Sequence, residues 1–134
     1  MKKILLFTAI VFSNIIIAQE KNNTTIDSCS VTKEGVLFKT NAHASYYHDK
    51  FNGRKTASGK RFNNNDFTAA HKKFPFGTKL RVTNEANKKS VIVEITDRGP
   101  FVKGREIDLS KRAFMDIASN KKSGLVYVTI EILK

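Results

Sequence analysis

Alternation of apolar and polar residues with a period of two is the feature that most constrains the fold of this chain. It is clearest from Val126 to Ile132, where every second residue is apolar. A second example covers 79–83 and 91–96, and the residues between these runs, 84–89, include turn-forming asparagines. A period of two is that of a β-strand with one buried face, and two such runs across a short polar loop are typical of a hairpin. The sequence therefore predicts a chain rich in β-structure.

One segment departs from this period and predicts a short helix. Its apolar residues recur at the spacing of a single helix face: Leu109, Ala113, Phe114, Ile117 and Ala118. Either Asp108 or Ser110 can cap the start of this helix by accepting a backbone hydrogen bond. One short helix among about six strands indicates a mainly β protein built as a small closed barrel.

The N-terminal residues predict export. Lysines at positions 2 and 3 precede an apolar run at 4–17, and a small residue, Ala18, follows it. This is the order of a secretory signal peptide, with cleavage near Ala18. The run is also shorter than the ~20 apolar residues that a membrane-spanning helix needs. We therefore expect residues 1–18 to be removed and the remaining chain to be periplasmic or secreted.

Residues 19–42 are predicted to be a linker, and residues 43–134 are predicted to form the barrel domain. The chain from 19 to 34 is rich in Asn, Thr, Ser and Lys and shows no periodicity. It contains the only cysteine, Cys29, so neither a disulfide scaffold nor a thiolate-rich zinc module is expected. Eleven residues separate Cys29 from the apolar run, and we therefore do not expect a lipid anchor there.

A surplus of basic side chains limits the partners. The chain has 24 Lys and Arg against 12 Asp and Glu, a formal net charge of +12. In the cytoplasm such a charge would suggest nucleic acid, whereas for an exported protein the abundant anions are cell-wall polymers and lipid head groups. We predict a monomer with no nucleic-acid partner. The plainer explanation of the charge is that the lysines only keep the surface solvated. A third candidate function, beside the two that bind wall polymers, is a secreted inhibitor or a nucleic-acid binder.

Two positions are candidates for acid–base chemistry. Asp97 directly follows the strand at 91–96 and precedes a Gly-Pro turn, so the sheet would fix its carboxylate within reach of a ligand. A turn aspartate that bonds to its own downstream amides is the equal alternative, and the neighbouring Arg98 would favour the ionised carboxylate. His71 can orient a carboxylate or hold a substrate hydroxyl, or it can be a histidine satisfied by backbone at the edge of the core.

Six short motifs follow one another along residues 43–133. They are ASYY (44–47), GRKTASG (53–59), FTAAH with FPFGT (67–78), VTN (82–84), DRGPF (97–101) and GREIDLS (104–110). In this order they resemble the rare lipoprotein A family of bacterial cell-wall proteins. The resemblance implies a six-stranded double-psi β-barrel related to expansins and family 45 endoglucanases. It also implies lytic transglycosylase activity on peptidoglycan, with formation of 1,6-anhydromuramyl ends.

The resemblance also implies particular site residues. Asp97 and His71 match the family's catalytic aspartate and histidine, and the family has an acidic residue directly after the glycine that matches Gly59. This chain has Lys60 there, which favours the alternative of a non-catalytic, expansin-like module that binds wall glycan. The partners implied are peptidoglycan glycan strands, with cell-division or wall-remodelling proteins as further candidates.

The remaining candidate residues are expected to contact substrate. Tyr46 and Tyr47 offer flat faces on which sugar rings can stack, although one of the two is expected to pack inward because neighbours on a strand point to opposite sides. Asp108, if it is not the helix cap, can bind sugar hydroxyls, and Arg98 and Lys60 are further substrate contacts. Three histidines without acid-rich spacing give no case for a metal site, and no cofactor is expected.

Overall fold

The computed structural model describes residues 34–134. The predicted signal peptide (1–18), Cys29 and the predicted linker up to residue 33 lie outside the described residues. The elements in chain order are β1 (Gly35–Tyr46), a 3₁₀ helix (Asp49–Phe51), β2 (Thr68–His71), β3 (Lys79–Asn84), β4 (Ser90–Asp97), β5 (Ile107–Leu109), α1 (Lys111–Ile117) and β6 (Val126–Leu133). Neither helix in this part of the chain has the length and apolar content needed to cross a membrane.

The six strands close into a barrel in the order β1–β5–β2–β4–β3–β6. The pairs β1–β5 and β2–β4 are parallel, and the other four pairs are antiparallel. Closure gives every strand a hydrogen-bonded neighbour on both sides and removes the open sheet edge that a small β protein would otherwise expose. The mainly β, six-stranded barrel with one α-helix that the sequence predicts is confirmed.

The predicted hairpin and final strand are both present. β3 pairs with β4 from Lys79↔Glu94 to Thr83↔Ser90, across the asparagine-containing turn. β6 alternates buried and more exposed positions, as its sequence period requires. Their inward residues form much of the core: Leu80, Val82, Val93, Ile95, Val128 and Ile130. Burial of each such side chain contributes about 1.5–3 kcal/mol, so these two segments supply a large share of the barrel's stability.

The barrel begins earlier than the sequence indicates. β1 starts at Gly35, where it pairs with Leu133 of β6, so the predicted boundary at residue 43 falls inside a strand. Residues 36–38 are all exposed, and the register of β1 against β6 shifts twice before Ala42. Because these irregularities break the alternation, the period of two does not reveal the first half of β1.

The helix starts at Lys111, two residues after the first residue of its apolar stripe, Leu109. Ser110 is the N-cap, and its Oγ accepts a hydrogen bond from Ala113 N–H at 3.3 Å. Asp108 and Leu109 belong to β5, so the expectation that Asp108 caps the helix is wrong and Ser110, the second candidate, is the cap. The buried side chains of the helix are Ala113, Phe114 and Ile117.

Candidate active site

Asp97 is the last residue of β4, and an irregularity in the sheet directs its side chain. Ala69 of β2 pairs with Ile95, but the next residue, Ala70, pairs with Asp97, so Thr96 has no partner on β2. Irregularities of this kind re-aim side chains and recur beside active sites. The Asp97 side chain is half-buried, held by the sheet and still open to solvent on one side.

Three donors hold the Asp97 carboxylate. Its Oδ1 accepts from Ala57 N–H at 2.9 Å and from the amide of the next residue, Arg98, also at 2.9 Å. Its Oδ2 accepts from the Tyr47 hydroxyl at 2.8 Å. Asp97 therefore has features of both sequence alternatives. It bonds to its own downstream amide, as a turn aspartate does, and it also lies at a fixed position that is partly exposed. The two amides are obligate donors, whereas the hydroxyl beside Oδ2 can donate or accept.

Tyr47 contacts Asp97 through its hydroxyl, and its ring packs against two neighbouring aromatic side chains. Its ring lies 4.7 Å from the ring of Phe62 and 5.7 Å from that of Phe51, measured between centroids. Burial raises the pKa of the Tyr47 hydroxyl, and the hydrogen bond to Asp97 raises it further. The hydroxyl therefore stays protonated and donates to Asp97. Neighbouring aromatic side chains pack against this ring, and its sugar-stacking role stays a prediction.

Two other predicted substrate contacts, Tyr46 and Asp108, make contacts within the protein. The Tyr46 ring packs 4.7 Å from that of Phe114 against the core, as expected for one tyrosine of the pair, and its stacking role stays a prediction. Asp108 is buried, and its Oδ1 accepts from Ser45 Oγ while its Oδ2 lies 3.3 Å from Arg105 Nη2. Both Asp108 oxygens have partners within the protein, and its binding of sugar hydroxyls stays a prediction.

The hydrogen bonds of the His71 side chain go to two backbone amides and to Glu106 rather than to Asp97, and its catalytic role stays a prediction. The ring is 1% exposed, and its Nδ1 accepts from Lys73 N–H at 3.1 Å and from Phe74 N–H at 3.3 Å. The proton must then be on Nε2, which donates to Glu106 Oε1 at 3.1 Å. Burial lowers the pKa of His71 even though Glu106 opposes this shift. The imidazole of His71 is therefore neutral, and each of its nitrogens has a hydrogen-bond partner.

Arg98 connects the His71 turn to Asp97. Its Nη1 donates to the carbonyl oxygens of His71 and Phe74, at 3.4 and 2.9 Å, and its guanidinium lies 3.9 Å from the centroid of the Phe76 ring. The guanidinium therefore binds carbonyls and an aromatic face, and the backbone amide of Arg98 contacts the Asp97 carboxylate. Binding of substrate by Arg98 stays a prediction.

Lys60 lines a cleft of about 260 Å³ and is paired with an acid that the sequence did not single out. Its Nζ donates to Glu94 Oε1 at 3.0 Å, and Lys79 Nζ donates to Glu94 Oε2 at the same distance. These two bonds lower the pKa of Glu94. The other lining residues are Arg61, Phe62, Asn63, Asp66, Phe67, Thr68 and Thr96. The cleft adjoins the end of β4, because Thr96 directly precedes Asp97.

Sequence reasoning also missed Glu106. It lies 35 residues from His71 in the chain, and it bonds to Lys39 as well as to His71. Burial opposes ionisation of Glu106, but the bonds from Lys39 and His71 outweigh it and lower its pKa. No spacing in the sequence signals either this pair or Lys60–Glu94. Within residues 34–134 no three His, Cys, Asp or Glu side chains are grouped closely enough to hold a metal ion.

Comparisons with known proteins agree with this fold. A family model described as "Lytic transglycolase" matches residues 39–130. The endolytic peptidoglycan transglycosylase RlpA of Pasteurella multocida is 50% identical over 103 residues, which are 77% of this chain and 35% of that protein. The RlpA of Rickettsia felis is 48% identical over 72% of this chain and 43% of its own length. The chain thus spans less than half the length of these curated relatives.

Two solved structures share the fold at lower identity. A mutant of Clavibacter michiganensis expansin, in complex with cellohexaose, superposes with a TM-score of 0.57 at 18% identity, over 71% of this chain and 50% of that one. Streptomyces papain inhibitor superposes with a TM-score of 0.56 at 23% identity, over 72% of this chain and 94% of that one. Because a family model covers most of the described barrel and curated relatives are about half identical to it, the chain belongs to the RlpA-like lytic transglycosylase family of double-psi β-barrels.

Proposed function

We propose that this chain is a peptidoglycan lytic transglycosylase that cleaves the MurNAc–GlcNAc bond, with Asp97 as its acid and base. The observation that carries the proposal is the Asp97 carboxylate, fixed by three donors at the end of β4 and open on one side. It lies in a domain about half identical to proteins named endolytic peptidoglycan transglycosylases.

A single carboxyl group is sufficient for this reaction. The protonated Asp97 donates its proton to the glycosidic oxygen as the C–O bond to the muramyl anomeric carbon breaks. The 6-hydroxyl of the same muramyl residue attacks that carbon, and the Asp97 carboxylate accepts the hydroxyl proton. In inverting glycosidases a second carboxylate activates a bound water for the attack. Here the 6-hydroxyl of the substrate itself is the nucleophile, so neither that water nor a second carboxylate is needed. General acid–base catalysis of this kind contributes about 10²–10⁴-fold.

The hydrogen bonds of Asp97 support Oδ2 as the reacting oxygen. Asp97 Oδ1 faces the amides of Ala57 and Arg98, which can only donate, so a proton on Oδ1 would displace a donor. Oδ2 faces the Tyr47 hydroxyl, whose oxygen can accept from a protonated carboxyl and donate to an ionised one. The proton that is transferred therefore resides on Oδ2. Tyr47 accommodates both protonation states of the cycle without moving its ring.

A glycan is the substrate class that the surroundings of Asp97 support. Phe101, in the loop after Asp97, is 85% exposed, and its ring lies against Gly99. An exposed apolar ring four residues after the acid is suited to the face of a sugar ring, which is apolar on its C–H side. The expansin with the same fold was solved with cellohexaose, a glycan oligomer, which supports the same ligand class here.

We also propose that the protein acts outside the cytoplasmic membrane. Support comes from the order of charged, apolar and small residues in 1–18, which is that of a signal peptide. Peptidoglycan lies in that compartment, so location and substrate agree. Cell-division or wall-remodelling proteins as partners, and a monomeric state, stay proposals that rest on the resemblance alone.

One observation favours a second candidate function. Lys60 stands where the family pattern has an acid, which suits an expansin-like module that binds wall glycan without cleaving it. Incubation of the purified protein with glycan strands stripped of stem peptides, followed by mass spectrometry, separates the two functions. A transglycosylase produces 1,6-anhydromuramyl ends. Retention on isolated wall material with no new ends would support the binding module and contradict the enzyme.

A further inference from the structure

The loop Thr56–Lys60 lies against the end of β4 and contacts it at three residues. Ala57 N–H donates to the Asp97 carboxylate at 2.9 Å, and Ser58 N–H donates to the Thr96 carbonyl at 3.1 Å. The third contact is the ion pair of Lys60 with Glu94, at 3.0 Å. The Lys60–Glu94 pair thus links the far end of the loop to β4, in addition to the backbone bridge Lys55↔Arg61 that closes the loop.

Hydrogen bonds within the loop couple the position of Lys60 to that of Ala57. The Lys60 carbonyl accepts from both the amide and the hydroxyl of Thr56, each at 2.8 Å. Gly59 N–H donates to the Thr56 carbonyl at 2.9 Å, and Gly59 has a φ of +89°, which glycine adopts without strain. With its two ends bonded to each other, the loop moves as a unit, and displacement of Lys60 displaces Ala57.

We propose that Lys60 and Glu94 are a positioning pair that keeps Ala57 N–H on Asp97 Oδ1. This inference rests on the proposed function for its effect on catalysis, although the position of the amide can be measured without it. The resemblance puts an acid at position 60. In this chain the loop carries the cation, Lys60, and β4 carries the carboxylate, Glu94. Their ion pair fastens the loop to the strand. Lys60 therefore has a role at the site that does not require it to touch substrate.

The pair acts on geometry more than on stability. The Lys60 side chain is 64% exposed and that of Glu94 is 25% exposed, and exposed ion pairs contribute about 0–1 kcal/mol to folding. Loss of the pair should therefore leave the melting temperature nearly unchanged. Catalysis is more sensitive, since a misplacement of about 1 Å at a reacting group can cost ~10²-fold in rate.

Lys79 provides a matched control. It makes the same 3.0 Å bond to the other oxygen of Glu94, and its side chain is 49% exposed, but it belongs to β3 and not to the loop. Lys60→Gln and Lys79→Gln each remove one cation from Glu94, and only the first releases the loop. We expect kcat on peptide-free glycan to fall about threefold in Lys60→Gln, with KM unchanged, and to stay at the wild-type value in Lys79→Gln and Lys60→Arg.

A double-mutant cycle and an amide measurement complete the test. Glu94→Gln should match Lys60→Gln, and the double variant should lose no more than either single one, because both break the same contact. In the free protein, hydrogen exchange at the Ala57 amide should accelerate in Lys60→Gln and not in Lys79→Gln. Equal behaviour of these two variants at Ala57, or additive losses in the cycle, would overturn the proposal. Because the exchange measurement needs no substrate, it decides the matter even if no cleavage is found, a result that would contradict only the proposed function.

Discussion

The hydroxyl of Tyr47 donates a 2.8 Å hydrogen bond to Oδ2 of Asp97, although the two residues are 50 positions apart in the chain. Tyr47 directly follows β1 and Asp97 ends β4. These strands are not neighbours in the barrel order, so barrel closure brings the two side chains together. The site therefore depends on the whole barrel, and a local motif around Asp97 does not define it.

Replacement of Tyr47 by Phe should reduce activity without loss of the fold. The variant keeps the ring that packs on Phe62 and removes the hydroxyl that donates to Asp97 Oδ2. A hydrogen bond to a charged group contributes about 1.5–3 kcal/mol, which corresponds to roughly a 10–100-fold loss in rate. Steady-state kinetics on peptide-free glycan measure the loss, with Tyr46→Phe as the control that should retain activity. Wild-type rates for Tyr47→Phe would show that Oδ2 is not the reacting oxygen.

His71→Gln should retain most of the activity, because the imidazole of His71 is neutral and bonded within the protein on both nitrogens. A glutamine amide can donate to Glu106 and accept from the amides of Lys73 and Phe74, as the imidazole does. An acid–base histidine would lose about 10²–10⁴-fold on the same change. The pH–rate profile of the variant should also keep its shape. A loss of that size in a folded His71→Gln, with one limb of the profile missing, would instead place His71 in proton transfer.

Protein stability should fall as the pH drops below about 6.5, and His71 should account for much of this loss. Burial lowers the pKa of His71 below its ordinary 6.5 in the folded state. Between the two values the unfolded chain binds the proton more tightly, so the free energy of unfolding decreases as pH falls. Urea denaturation from neutral to mildly acidic pH measures the slope, which should flatten in His71→Gln. An unchanged slope in that variant would contradict the buried neutral imidazole.

The fold was predictable where one face of a strand is buried and the other is exposed. β3, β4 and β6 have that character, and their sequences alternate accordingly. The first half of β1 does not alternate, because residues 36–38 are all exposed. β5 has only three residues, all buried, and a strand so short carries no period. The parallel pairs β1–β5 and β2–β4 join distant segments, and local patterns do not contain that information.

The site was predictable at Asp97, where a strand, a turn and a carboxylate coincide in the sequence. The partners of Asp97 were not predictable in the same way, because Tyr47 and Ala57 reach it through barrel closure and through a loop. The sequence points to His71 and Lys60, but their acid partners, Glu106 and Glu94, are 35 and 34 residues away. Ion pairs at such separations depend on topology, which explains why the contacts of both residues differ from the expectation.

The most direct test of the account compares the native protein with Asp97→Asn on peptide-free glycan strands, with product ends identified by mass spectrometry. Asparagine preserves the size of the side chain and an acceptor for the two amides, but it cannot donate and retrieve a proton as a carboxylic acid does. We predict 1,6-anhydromuramyl ends from the native protein. In the variant we predict a rate at least ~10²-fold lower, with the same melting temperature and undiminished retention on wall material. Equal rates of anhydro-end formation by the two proteins would contradict the assignment of Asp97 as the acid and base.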